Sequence, residues 1–204
     1  MKLKVLRRQD LFVHKIYYKG DLQMTLSEKD GKLYYELWLP LLDFVNQKYK
    51  VNKSVKKMAG AKVLEPADVK AVSDKLCDNT SVIDEYLLSV ADLSEDHRRI
   101  LESWKRCKKG KFIIERHLKS GSILISLEDE SVYLVSGIIS SIEEMFYYRP
   151  MPILVEATLM PFRDVIITDG LIMPSNLIIG GNMKRQFKDI YMTAKQNGKI
   201  YKSL

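Results

Sequence analysis

The stretch whose residue types best suit a ligand is Gly180-Gly181-Asn182-Met183-Lys184-Arg185. Two glycines followed by Asn182, read as a helix N-cap, free several backbone N–H groups at the start of a helix, and such an end receives anions. Lys184 and Arg185 then stand in the first helical turn, where an exposed, unpaired cation opposes the helix dipole at a cost of roughly 0.3–1 kcal/mol. A bound phosphate or carboxylate would offset that cost. So would an acidic neighbour supplied by residues 128–169. The pattern is neither a Walker loop nor a dinucleotide fingerprint, because Gly-Lys-Ser/Thr and Gly-x-Gly-x-x-Gly are absent. Gly180, Gly181, Asn182, Lys184 and Arg185 are therefore the candidate anion-binding residues.

Other chemistry is poorly supplied. A nucleophilic triad needs a histidine that reaches both a nucleophile and an orienting acid. His14, His97 and His117 are the only histidines, and none lies beside a Gly-x-Ser-x-Gly turn. Cys107 is surrounded by lysines, which lower a thiol pKa, but its place on the last turn of a helix works the other way. Asp164 and Asp169 flank a strand, and Asp169-Gly170 is ordinary turn chemistry. Glu143 and Glu144 are adjacent on a helix and point about 100° apart, so they do not form a chelate. No His-x-x-x-His, Cys-x-x-Cys or Asp-x-Asp spacing is present. No catalytic residue, metal ligand or cofactor is assigned.

The elements that must hold the glycine stretch lie around it. Ile153 to Met160 and Val165 to Thr168 read as strands joined by Pro161-Phe162-Arg163, and Asp169-Gly170 as a tight turn. An apolar ribbon from Leu171 to Ile179 leads into the glycines, and a helix runs from Met183 to Asn197. That helix carries Met183, Phe187, Ile190, Tyr191 and Ala194 on one side, as the plug for the barrel. Upstream, Phe112-Ile113-Ile114, Ile123-Leu124-Ile125 and Val132 to Val135 read as strands, and Ser141-Ile142-Glu143-Glu144 as a capping box. About six strands and two helices over residues 112–204 predict a small, partly open barrel or a curled mixed sheet closed by the C-terminal helix.

The first half reads as helical. Tyr34, Leu37, Trp38, Leu41, Leu42 and Val45 make a helix face, with Pro40 inside it as a kink or the true first turn. The predicted helix starts near Leu37 or Pro40 and ends at Tyr49. Asp30-Gly31 offers a competing hairpin turn. Pro66 suits the first turn of a helix ending near Asp78-Asn79, Thr80 or Ser81 caps a second, and Ser94 opens a third that ends before Gly110. The organisation is thus a basic segment over 1–62 with a helix near 37–49, a helical subdomain over 63–110, and a β-rich subdomain over 111–204 with its helix at 183–197. The fold class is α+β.

Composition and charge bound the rest. Apolar residues make up 46% and charged residues 29% of the chain, as in globular proteins rather than disordered ones. No apolar run approaches the ~18–20 residues of a membrane span, and Met1 to Arg8 has no apolar region behind it, so neither a membrane nor a secretory signal is expected. Cys77 and Cys107 lack partner spacing and read as reduced thiols in the cytoplasm. The net charge of +7 is built from alternating blocks. Residues 1–62 carry +8, 63–103 carry −6, 104–127 carry +6, 128–169 carry −6 and 170–204 carry +5. Such blocks either pair with each other or converge their positive members on one face that attracts phosphate.

The runs Phe112 to His117, Val132 to Gly137, Leu159-Met160-Pro161-Phe162, Ile166 to Leu171 and Gly180-Gly181 together resemble an uncharacterised bacterial family common in Firmicutes. The likeness extends weakly upstream through Trp38 to Asn46 and Trp104. Some members carry an appended SEC-C-type zinc motif, whose cysteine cluster this chain lacks, so the resemblance implies a shared bacterial fold and no metal. The functional expectation is a cytoplasmic binding or adaptor protein using the basic surface at Lys184 and Arg185 for an anionic ligand or nucleic acid. The alternatives are an enzyme acting on a small phosphorylated or nucleotide ligand beside Gly180-Gly181, and a protein–protein module whose contact is formed by Tyr147-Tyr148-Arg149 or by the N-terminal thirty residues.

Overall fold

A computed structural model describes residues 24–53, 57–59 and 64–204. His14 and the rest of the first 23 residues lie outside that description. The chain divides into two compact units, one holding Glu28–Lys105 and the other residues 24–27 with Arg106–Leu204.

The first unit is helical. Helix α1 (Glu28–Tyr49) buries Tyr34, Leu37, Trp38, Leu41, Leu42 and Val45, the stripe visible in the sequence, and Leu33 ahead of it. It begins well before Leu37, because burial already includes Leu33 and Tyr34 and the acids Glu28 and Asp30 suit a first turn. Asp30-Gly31 is consequently helical, and the hairpin does not form. Pro40 sits inside the helix, which continues through it because apolar residues on both sides are buried. Tyr34 stacks on Trp38 at 5.4 Å and meets Trp104 edge-on at 5.6 Å.

Two polar residues of α1 fasten the loop that follows it. The buried Asp43 carboxylate accepts the backbone N–H of Met58 and, at 2.9 Å, that of Ala59. Asn46 donates to the Asn52 carbonyl at 3.0 Å and accepts from the Asn52 N–H at 2.8 Å. Helix α2 (Pro66–Asp78) has its proline in the first turn, as the sequence predicts. Helix α3 (Val82–Ser89) follows Ser81, whose side chain makes no cap. Helix α4 (Glu95–Ser103) is capped by Ser94 Oγ, which accepts the His97 N–H at 3.2 Å.

The second unit is a mixed seven-stranded sheet: β1 (Lys108–Leu118), β2 (Gly121–Ser126), β3 (Val132–Ser136), β4 (Ile153–Phe162), β5 (Val165–Thr168), β6 (Met173–Pro174) and β7 (Ile200–Tyr201). The order β1-β2-β3-β5-β4-β6 has β7 beside β3, and β1 also pairs with β4 from Lys108↔Leu159 to Ile114↔Ile153. The sheet therefore curls back on itself. Its β3–β5 link is parallel and only Val135↔Ile166 and Ser136↔Ile167 long, so this is a curled sheet and not a clear barrel. Gly110 lies within β1 and does not end a helix. The β4–β5 turn also falls later than expected, at Arg163 and Asp164, with Arg163 at φ 51°.

Alternation along the strands gives the sheet two apolar faces. Phe112, Ile114, Leu124, Tyr133, Val135, Val155, Ala157, Leu159 and Ile166 pack on the inside. Ile142 of the short helix α5 (Ile142–Met145), Phe146 and Ile172 fill the space there. Ser141 caps α5 in the predicted capping box, its hydroxyl accepting the Glu144 N–H at 3.1 Å while Glu144 accepts the Ser141 N–H at 2.8 Å. The outer face, Ile113, Ile123, Ile125 and Val132, is covered by Phe187 and Tyr191 of helix α6 (Gly181–Gln196). The C-terminal helix is thus a cover on the outside and not the plug of the interior.

The ribbon from Leu171 to Ile179 pairs with β4 at Met173↔Glu156 and Pro174↔Val155, and the Ser175 N–H donates to the Leu154 carbonyl at 2.8 Å. Ile172 is buried inside the sheet and Ile179 on the outer cluster, while Leu177 and Ile178 between them face outward. Neither cysteine is a free thiol. Both Cys77 and Cys107 are disulfide-bonded, in place of the reduced pair expected from the sequence.

Candidate functional site

At the start of α6 the N-cap is Gly180 (φ −73°, ψ 166°), with no side-chain cap, so Asn182 lies inside the first turn rather than before it. Its Oδ1 accepts from Arg185 Nη2, which takes the side chain away from any capping role. The Lys184 N–H bonds the Gly180 carbonyl at 3.0 Å, and the N–H groups of Gly181, Asn182 and Met183 precede that first bond. Residues 180–186 are all exposed, and a Cβ built on Gly180 or Gly181 meets nothing within 4 Å. The glycines therefore answer no steric need, and the amide-rich corner is open instead of walled.

The two acids considered as partners have other positions. Asp169 is buried (1% exposed); its Oδ1 accepts the Leu171 N–H at 3.1 Å, and Gly170 takes φ 80°, which is the expected turn role. Asp164 is exposed in the β4–β5 turn. Among the described residues, no group of three or more His, Cys, Asp or Glu side chains could hold a metal ion, and no helix is long and apolar enough to cross a membrane.

Charge separates this region from the rest. Lys48 pairs with Glu85, Lys105 with Asp84, Lys108 with Asp129 at 2.9 Å and Lys111 with Glu156 at 3.8 Å. Cations from residues 1–62 and 104–127 thus meet acids from 63–103 and 128–169. The six cations of residues 170–204, Lys184, Arg185, Lys188, Lys195, Lys199 and Lys202, are all exposed, and none forms an ion pair among the described residues. Lys184, Lys188 and Lys195 fall at i, i+4 and i+11, on one stripe of α6.

One constellation escaped sequence reasoning. His117 Nδ1 lies 2.7 Å from Ser122 Oγ, across the β1–β2 register that pairs these residues. Burial holds the imidazole below the ordinary histidine pKa, with Glu143 pulling the other way. A serine–histidine contact would suit a nucleophile, but Ser122 is 1% exposed and its hydroxyl is closed off from a substrate. The neighbouring Arg116 pairs with Glu115 and lies 4.3 Å over the Tyr191 ring, which fastens α6 to β1. The only signal for these contacts was the turn at Lys119-Ser120-Gly121, whose register was not readable beforehand.

Apolar side chains are also presented. Tyr147 and Tyr148 are 77% and 93% exposed, and Leu177 and Ile178 are 69% and 97% exposed. Arg149 Nη1 donates to the Ser175 carbonyl at 3.1 Å, tying the tyrosine loop to the segment that carries the two aliphatics. No protein-family model, curated protein or solved structure matches the chain, so the Firmicutes-type resemblance stands on the residues quoted for it alone.

Proposed function

We propose that this chain is a non-catalytic binding or adaptor protein that takes an anionic partner on the exposed cationic side of its C-terminal unit, around Lys184 and Arg185. The observation that carries this reading is the six exposed cations of residues 170–204, which find no ion pair among the described residues while cations of the earlier blocks do. The nearby amide groups of the α6 first turn add to the attraction for negative charge. The alternative of an enzyme acting on a small phosphorylated or nucleotide ligand lacks support, since the corner is open and Asp169 is committed to its own turn.

A polyanion-retention experiment tests it. The protein, a Lys184→Ala/Arg185→Ala/Lys188→Ala variant and a charge-matched control at Lys29, Lys53 and Lys57 are eluted from immobilised heparin with salt. The expected result is much earlier elution for the α6 variant than for the control, starting from about 50 mM salt, where phosphate and sulfate contacts are strong. Equal retention of the two variants would show that net charge alone governs binding and would remove the assignment to α6.

A further inference from the structure

The apolar side chains beside the cations narrow the class of anionic partner, a step that rests on the proposal of an anionic partner at α6. Leu177 and Ile178 form the crest of an arch whose ends, Ile172 and Ile179, are buried in separate apolar clusters. Ile178 is almost wholly exposed although its neighbour Ile179 is buried. Met183, half exposed, follows within the first turn of α6, and Lys184, Arg185 and Lys188 come directly after it. A crest of aliphatic side chains followed at once by unpaired cations is a combination of two attractions, one for hydrocarbon and one for negative charge.

We propose that this edge docks on an anionic lipid bilayer, with Leu177 and Ile178 entering the boundary of the acyl chains and Lys184, Arg185 and Lys188 meeting the headgroup phosphates. The aliphatic character of the crest decides between partners. Bases of single-stranded nucleic acid are held by stacking on aromatic faces, which leucine and isoleucine lack, whereas aliphatic side chains partition into lipid. Tyr147 and Tyr148, on the loop tied to Ser175 by Arg149, suit the headgroup level where such rings collect. This is attachment to a surface, a different matter from the membrane-spanning helix that the described residues lack.

Cosedimentation with vesicles of phosphatidylcholine, alone or mixed with phosphatidylserine, tests the proposal on the full chain, with a labelled single-stranded RNA run in parallel. The expected result is binding to the serine-containing vesicles only, weakening as salt rises. Leu177→Ser/Ile178→Ser should lower the partition coefficient at least about tenfold. Lys184→Ala/Arg185→Ala/Lys188→Ala should lower it about a hundredfold, at roughly fivefold per cation. Ile178→Trp, read as the difference from the parent chain with its Trp38 and Trp104 alone, supplies a second readout: the added emission should shift to the blue on serine-containing vesicles. Vesicle binding unchanged in the Leu177/Ile178 variant, or Ile178→Trp emission unmoved by vesicles, overturns the proposal. RNA binding that depends on Lys184 and Arg185, with no vesicle binding, overturns it while leaving the anionic-partner reading in place. Binding to neither overturns the lipid proposal, and the anionic-partner reading falls with it only where the heparin retention of the two variants is also equal.

Discussion

The cations of the strand β1 region and those of α6 are treated differently by the fold. Lys108 donates to both Asp129 and the Tyr133 hydroxyl, each at 2.9 Å, and it lies 5.4 Å from the Tyr133 ring centroid. Hydrogen bonds to Tyr133 and then Asp129 raise its pKa, and the Lys108 contact chiefly holds the Asp129 carboxyl below the usual carboxylate range. On α6, Lys184, Lys188 and Lys195 meet no acid among the described residues. Exposed ion pairs contribute only about 0–1 kcal/mol each, so the pairing around β1 adds little stability. What it does is cancel the sign of a surface. The +5 block is left uncancelled, and that asymmetry is what points outward.

The same contrast holds for apolar side chains, and it yields the largest expected effect. Phe112 is fully buried inside the curled sheet, against Tyr133 at a ring separation of 6.2 Å. Phe112→Ala should cost about 3–5 kcal/mol, the range for emptying an aromatic site in a packed core. Ile178→Ala should stay within about 0.5 kcal/mol, as surface substitutions do. Urea unfolding of both variants measures the difference. An Ile178 variant destabilised by more than about 1 kcal/mol would mean that the crest packs on its own protein, and the division between the two regions would fail.

A smaller effect tests whether the buried polar contacts of β1 belong to the fold alone. Burial lowers the His117 pKa, so the folded protein binds its proton less readily than the unfolded chain. The contribution is therefore fully present above the unfolded value of about 6.5 and is lost as pH falls through that value toward the folded one. Unfolding free energy measured between about pH 7.5 and 5 should decline on the acid side, and His117→Gln should flatten the decline. A profile that His117→Gln leaves unchanged would show that the ring is solvated and that the Ser122 contact does not persist.

How much of this was legible in the sequence depends on how local each signal is. The Ser141 capping box, the Pro66 helix start and the Ser94 cap are settled within four residues, and they formed as read. The stripe of α1 fixed its face and its end at Tyr49. Its start was misplaced because Asp30-Gly31 speaks for a turn locally, while burial of Leu33 and Tyr34 speaks for a helix at longer range. The α+β class was readable because the period changes from helical to extended, a change the sequence places after Gly110 and the structure places at Lys108. The curl of the sheet was not, since it depends on β1 pairing with β4, from Lys108↔Leu159 to Ile114↔Ile153, far apart in the chain. The candidate site was legible in composition only. Lys184 and Arg185 are exposed and meet no acid, but Asn182 is not the cap, because Gly180 can take the N-cap conformation unaided. The outward turn of Leu177 and Ile178 could not be read from a continuous apolar ribbon, which looks the same whether it is buried or presented.

The smallest effect carries the sharpest form of the contrast. Lys184 stands in the first turn of α6, near the positive end of the helix dipole, with no acidic residue in that turn. If the fold has no use for this charge, Lys184→Gln should stabilise the protein by up to about 1 kcal/mol, because glutamine keeps nearly the same helix propensity and removes only the charge. The gain should shrink as salt rises, since the Debye length falls from about 10 Å at 0.1 M to about 3 Å at 1 M. Arg185→Gln should gain less, because it also gives up the bond to Asn182 Oδ1. Thermal unfolding at low and high salt measures both. A loss of stability at Lys184 would show that the lysine serves its own helix. A gain would mark a charge that the folded chain is better without, and the reason for keeping it would have to lie in something the chain binds.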